Sequence, residues 1–549
     1  MIKRFSIFIT TFLLAAFCVA QVNEAPKLLK KGQSGQLIVN NKPFIILGGE
    51  LYNSSSTSLE FMKPIWPRMK SLNLNTLFVA ISWRQFESAE GKYDFTLVDG
   101  LVQEARKNDL KIGFLWFGAW KNGMSGYAPE WVLSDLKRFP RMQDVSGRNL
   151  EVLSNLSDEL CAVESATFAV LMKHIREIDQ KDQTVILMQV ENEVGLMRAS
   201  RDFSRKATSE YQKKVPPQLM NYLLADTSKL TPYLKKAWAV NRHKKEGTWS
   251  EVFGSDERSE QLFMAWSYAR YIEKIAAAGK KEYPLVMNVN AWLAKDTDKP
   301  GTYPSGGPTA FNLDIYRAAG TNIDLFSPDI YGKEFKAACK AHQHRGNPLL
   351  IPEACGIWLK DTLSGPAKAY YTIAEENALG FSPFAIDAKL YNATHPLTPA
   401  YRNLKQLMPF LTELQGTKNL RGFMQETGKT DSIEFDAFNF QIRYTGNPAG
   451  SKPGYGLIIK LSENEYVLSG CGFSVDRIES KNPKKPLVSL TSVQEGEYEN
   501  GKWKLIRDLG GDEVNGQGTT GPFFPPTTYS MVLDYNYIST QKIRIIAHE

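Results

Sequence analysis

Between about residues 40 and 415, short apolar runs alternate with longer stretches whose apolar residues recur every three or four positions. The short runs suit strands buried on both faces. The longer stretches suit helices that lay one stripe on a core. This pattern predicts eight strands, over 44–49, 76–83, 111–117, 185–190, 285–290, 325–330, 349–352 and 380–386. Helical periodicity fills the intervals, for example over 97–108, 166–180 and 259–279, and a last helix is expected over 400–414. Eight such units predict a (β/α)8 barrel. The rival, an open doubly wound sheet, usually opens with a glycine-rich first turn, and this chain has none.

The connection between the fourth and fifth strands is far longer than a simple loop of about 2–6 residues. It holds Lys213-Lys214-Val215-Pro216-Pro217 and extra helical pattern near 218–245. An insertion over 196–258 is therefore expected to shape a substrate cleft at that rim. Past about residue 418 the period changes to two, over 432–444, 455–468, 502–509 and 530–546, with Gly, Asn and Pro clusters between. Residues 416–549 are thus expected to form an all-β sandwich or jelly roll, either bracing the barrel or binding sugar.

Lys3 and Arg4 precede an apolar stretch over 5–17, followed by Cys18-Val19-Ala20. That order reads as an export signal over 1–20, too short for a membrane-spanning helix. The barrel domain is then 21–415 and the location periplasmic or extracellular. A lipid anchor at Cys18 is the weaker reading, because bulky Phe17 stands just before it. Cys161, Cys339, Cys355 and Cys471 are far apart and lack metal-site spacing, so buried free thiols are expected, with one disulfide as the alternative.

Hydrophobic residues at 43% and charged residues at 23% exclude fibrous, disordered and multi-span membrane classes. The net charge of +7 forms no long basic run, so nucleic acid is not an expected partner. Walker A, GxGxxG, HExxH and GxSxG motifs are all missing. No cofactor and no metal site are expected. Aromatic residues at 11% suit stacking on sugar faces, although large cores use them too.

The densest chemistry is Gln189-Val190-Glu191-Asn192-Glu193-Val194-Gly195, directly after the apolar run Val185-Ile186-Leu187-Met188. Active sites of such barrels assemble at the carboxyl ends of the strands. The alternatives for these acids are a solvated strand end, helix caps or an internal ion pair. The seventh strand ends in Glu353, so two carboxylates stand at the ends of strands four and seven, across one mouth. Glycoside hydrolysis uses such a pair about 5–5.5 Å apart when configuration is retained. Glu193 is then the general acid and later base, and Glu353 the nucleophile. Asn192 is placed to donate to a sugar hydroxyl, with Glu191 beside it. Tyr331, ending the sixth strand, is either a donor to Glu353 or a rim tyrosine. Asn290 and Trp292 end the fifth strand as a polar contact and a stacking ring. Glu50, Glu87 and Trp120 also fall near strand ends; Trp83, Trp116, Trp131 and Trp358 do too, and one or two tryptophans are expected to touch sugar.

Gln189 to Gly195 resembles the acid/base motif of glycoside hydrolase family 35, the β-galactosidases, which usually carry Tyr where Val194 stands. Leu74-Asn75-Thr76 through Trp83 to Glu87, and on through Gly91 to Phe95, is similar to the second strand and loop of families 35 and 42. Pro129-Glu130-Trp131-Val132-Leu133 resembles the segment after their third strand. The resemblance spans about residues 40–395 and implies a retaining (β/α)8 β-glycosidase, most directly a β-galactosidase acting on oligo- or polysaccharide, with Glu193 as acid/base and Glu353 as nucleophile. Ala80, Ala119 and the Pro352-Glu353-Ala354-Cys355 surroundings depart from the family 35 pattern, which marks a divergent branch.

Overall fold

The computed structural model describes residues 24–549 except 33, 333, 357, 359, 360, 451, 511–513, 515–527 and 534–537. The expected export signal, residues 1–20, lies outside the described residues.

Eight parallel strands close a barrel in chain order. They are β1 (Ile46–Glu50), β2 (Thr76–Ser82), β3 (Lys111–Lys121), β4 (Val185–Asn192), β5 (Val286–Trp292), β6 (Leu325–Ile330), β7 (Ile351–Ala354) and β8 (Gly380–Pro383). All but the first residue of β3 and the last of β5 are buried, as strands faced by side chains inside and helices outside must be. Two differences from the expected bounds matter. Phe44 belongs to an N-terminal meander (Lys27–Lys31, Ser34–Val39, Lys42–Phe44), and β3 runs on to Lys121. Leu37 and Val39 of that meander join Ile46, Phe78, Leu115 and Leu187 in one apolar cluster, which plugs the amino-terminal end of the barrel.

At the β8–β1 seam, the Tyr401 hydroxyl lies 2.9 Å from both Gly48 O and Phe381 O, tying the last helix (Leu397–Leu414) to both strands. A Cβ on Gly48 would stand 2.1 Å from Ser382 Oγ, so this close approach requires glycine. The long connection after β4 carries Arg205–Tyr211, Pro217–Ala225, Pro232–Ala239 and Trp249–Phe253 before the 26-residue helix Glu257–Glu282.

The C-terminal domain packs two antiparallel sheets of six and four strands face to face. Phe440, Ile458, Tyr466, Phe473 and Ile543 form its core. The helix Gly365–Ala374 is buried along its whole length, because the barrel covers one side and this domain the other. Arg421 grips Glu375 through two hydrogen bonds of 2.8 and 2.9 Å, and the Tyr370 and Tyr455 rings meet at 5.0 Å. These contacts tie the domain to the barrel. Cys161, Cys339, Cys355 and Cys471 are buried free thiols. Among the described residues, no helix is long and apolar enough to cross a membrane.

Candidate active site

The mouth of the barrel is built at the irregular ends of β3 and β4. Trp116 pairs with Val190 and Lys121 with Asn192, so a five-residue step on β3 runs against two on β4. The bulge turns the Ala119 and Trp120 N–H groups toward β4. On β4, Glu191 (φ 62°) and Glu193 (φ 43°) both take left-handed backbone, each at a cost of roughly 1–2 kcal/mol for a residue with a Cβ. This double twist separates the two acids.

Glu193 turns into the mouth. Its N–H donates to Asn290 Oδ1 at 2.9 Å, and Asn290 Nδ2 donates to Asp329 Oδ2 at 2.7 Å. Asp329 on β6 is the register partner of Glu353 on β7. Carboxylate oxygens of Glu193, Asp329 and Glu353 lie within 4.8 Å of one another. Such a trio could also ligate a cation. Tyr331 donates a short hydrogen bond to Glu353 Oε1. Glu50, at the end of β1, shares a hydrogen bond with the Glu353 carboxyl. Lys121 donates to Asn192 Oδ1 at 2.9 Å and brings a positive charge to these acids. Glu50 Oε1, Asp329 Oδ1, Glu353 Oε2 and Asn192 Nδ2 are buried and have no hydrogen-bond partner among the described residues. They can therefore serve a ligand's hydroxyl groups.

The electrostatics distinguish the acids. Burial, then the charge of Glu353, pushes the Glu193 carboxyl up to about 7, against the pull of Lys121 and a hydrogen bond from Asp329. Burial and neighbouring carboxyls push Glu50 and Asp329 well above the usual range. Burial raises Glu353 too, but Lys121 and hydrogen bonds from Tyr331 and Glu50 hold it down. Burial keeps Tyr331 protonated and hence a donor.

Glu193, Glu353, Asn192, Asn290, Tyr331 and Glu50 thus converge. Two sequence assignments need correction. Glu191 is fully buried behind β4, where Ala119 N and Trp120 N donate to it at 3.0 and 2.9 Å. Burial and the adjacent Glu164 push its carboxyl up, and both its oxygens are taken by the bulge of β3 rather than turned to the mouth. Trp120 is also fully buried, its Nε1 donating to Leu153 O at 3.1 Å. Glu87, likewise buried, accepts from Trp83, Gly91 and Thr167. Trp292 stands half-exposed on the rim at the register of Asp329. Trp358 is more exposed and packs on the Tyr331 and Phe384 rings, at 5.2 and 5.6 Å.

Asp329 and Lys121 went unread in the sequence. Strand alternation holds the signal for Asp329, which shares a face with Ser327 and Tyr331. Lys121 had no such signal, because its position depends on the bulge.

A family model described as beta-galactosidase, glycoside hydrolase family 42, matches residues 51–279. A second, described as a domain of unknown function (DUF5597), matches residues 397–519. The chain therefore carries a family 42-like glycoside hydrolase domain; the match falls on family 42 rather than on family 35. Among solved structures it is similar to a β-galactosidase from Bacillus circulans sp. alkalophilus, at 15% identity and a TM-score of 0.46, over 66% of this chain and 56% of that one. A cold-adapted β-galactosidase from Rahnella sp. R3 aligns at 16% identity and TM-score 0.45, over 68% of this chain and 57% of that one. The catalytic domain of a β-amylase from Paenibacillus polymyxa aligns at 14% and 0.44, over 61% and 91%. The alignment spans little more than half of either β-galactosidase. No curated protein sequence matches the chain.

Proposed function

We propose that this chain is an exported retaining β-glycosidase that releases terminal galactose from oligo- or polysaccharides. The observation that carries the reading is the approach of Glu193 and Glu353 carboxylate oxygens to within 4.8 Å. That separation favours direct attack by one carboxylate over the spacing of about 6.5–9.5 Å that leaves room for an inverting water. The description of the family 42 model supports galactose as the sugar.

In the first step Glu353 attacks the anomeric carbon while protonated Glu193 gives its proton to the leaving oxygen, so a glycosyl ester forms as the glycosidic bond breaks. Esterification removes the negative charge that raised Glu193, and Glu193 becomes the stronger acid. As a carboxylate it then takes a proton from water, whose oxygen attacks the anomeric carbon and releases Glu353. Asn192 Nδ2 donates to the hydroxyl beside the reacting carbon. Glu50 Oε1 and Asp329 Oδ1, left over once each carboxyl has donated its hydrogen bond to its neighbour, accept from other hydroxyls.

Glu193→Ala and Glu353→Ala should each remove most hydrolysis of an aryl β-galactoside. With azide and an activated substrate, the Glu353 variant should yield α-galactosyl azide and the Glu193 variant β-galactosyl azide. Unchanged rates in both variants would end the assignment. Faster turnover of aryl β-glucosides or β-xylosides would replace galactose while leaving the chemistry. Glycan binding without turnover would make the barrel a binding scaffold.

A further inference from the structure

A second cavity of about 310 Å³ opens beside the amino terminus of the 22-residue helix Asp158–Asp179, between it, Glu257–Glu282 and the inserted helix Arg205–Tyr211. None of the converging acids lines it. Its innermost wall includes Tyr271, whose hydroxyl donates to Glu164 at 2.7 Å, so side chains separate it from the candidate active site.

Three features of the wall point to a ligand. Asn155 is 5% exposed, and both its Oδ1 and its Nδ2 lack a hydrogen-bond partner among the described residues. A buried amide left so forfeits roughly 1–3 kcal/mol unless something else completes it. An amide that can give and accept at one spot matches vicinal hydroxyls. Beside it, Trp249, Trp266 and Phe263 supply an apolar wall suited to a sugar face. The rim is cationic: Lys206 and Lys274 share one acidic partner, Asp158, at 3.7 and 3.6 Å, and Arg270 stands over the Trp266 ring at 5.9 Å. Two ammonium groups on one carboxylate leave positive charge uncompensated, which favours an anion. Cys161, also on the wall, is held by burial as a neutral thiol, near 11, and offers no nucleophile.

We propose that this cavity binds a single sugar unit bearing a carboxylate, a uronic acid, with its hydroxyls on Asn155, its ring against the Trp266 wall and its carboxylate at Lys206 and Lys274. The volume sits at the small end of ligand sites, about 300–1,000 Å³, and suits one ring rather than a chain.

The test is direct binding to the full chain by calorimetry, with methyl glucuronoside and methyl galacturonoside as probes and methyl galactoside and inorganic sulfate as controls. At least one uronoside should bind about tenfold or more tighter than either control. Asn155→Leu should weaken it about tenfold, as should the surface double variant Lys206→Met/Lys274→Met, with aryl galactoside hydrolysis unchanged. The lysine pair keeps the test decisive should the Asn155 variant not fold. Equal binding of methyl galactoside, sulfate binding as tight as the uronosides, or unchanged affinity in the lysine variant would each overturn the proposal. So would competitive inhibition by the uronoside in that variant, or no binding up to ~20 mM. The readout needs no turnover, so failure of the glycosidase reading leaves it standing.

Discussion

Removal of one oxygen, in Tyr331→Phe, gives a sharp test of how Glu353 is kept ionised. The Tyr331 hydroxyl is the donor on Glu353 Oε1, Oε2 has no hydrogen-bond partner among the described residues, and Glu353 is only 7% exposed. Water cannot readily replace the lost donor. A hydrogen bond to a charged group contributes about 1.5–3 kcal/mol, and the Glu50 carboxyl remains as a second donor, so the lower half of that range applies. Loss of the donor disfavours the ionised form, so a smaller share of the enzyme carries an active nucleophile on the acid limb of the pH–rate profile. There kcat/KM for 4-nitrophenyl β-galactoside should fall about 10- to 50-fold. The deficit should shrink as pH rises and Glu353 ionises regardless. The phenyl ring keeps its packing on Trp358, so the fold should stay intact. Full pH profiles of both proteins provide the measurement. A deficit of equal size at every pH, or none, refutes the reasoning.

Three other outcomes follow from the geometry. Asp329→Ala removes a hydrogen bond that favours ionised Glu193, so the descending limb, set near 7, should move to higher pH; movement to lower pH would mean that Asp329 is itself charged. Gly118→Ala would put a Cβ 1.9 Å from Glu164 Oε1 and 2.8 Å from Glu191 Oε1, and should lower stability by about 1–3 kcal/mol and kcat with it, as read by thermal unfolding and turnover; wild-type values in both would show that the Glu164–Glu191 pair does not support the mouth. Buried His342, held down to about 4 against 6.5 in the unfolded chain, favours its neutral form, so its contribution is complete above 6.5 and lost as pH falls toward 4. That amounts to about 3 kcal/mol, and His342→Leu should flatten the decline of Tm over this window; an unchanged slope would rule it out.

The barrel was legible in the sequence because each inner strand is apolar on both faces and each helix on one, so their periods differ. The ends of the strands were less legible. Nearness to the ends of strands three and four alone places Trp120 and Glu191 at the mouth, whereas the direction of a side chain there depends on whether strand alternation persists. The bulge opposite Val190–Asn192 and the left-handed backbone at Glu191 and Glu193 break that alternation. Nothing in a run of non-glycine residues announces positive φ. Lys121 was hidden for the same reason. Asp329, by contrast, was readable from the spacing of Ser327, Asp329 and Tyr331 on one face of β6. The N-terminal meander was missed because Phe44 and the run after Ile45 read as one strand, with no turn residue between them.

The two acids of the proposed reaction are the same residue type on the same barrel rim, so the surroundings must make them different. Glu50, Glu193, Asp329 and Glu353 share the mouth with the Lys121 ammonium. Ionising all four in so buried a place would cost several kcal/mol for each added charge, so some protons stay. The donors decide which. Among the described residues, Glu353 collects two donors, Tyr331 and Glu50, whereas Glu193 receives one, Asp329, and spends its backbone N–H on Asn290. Negative charge therefore settles on Glu353 first, and that charge keeps the proton on Glu193. The roles follow from that asymmetry rather than from position on the strands. Exchange of the two azide products, β from the Glu353 variant and α from the Glu193 variant, would show that charge settles the other way.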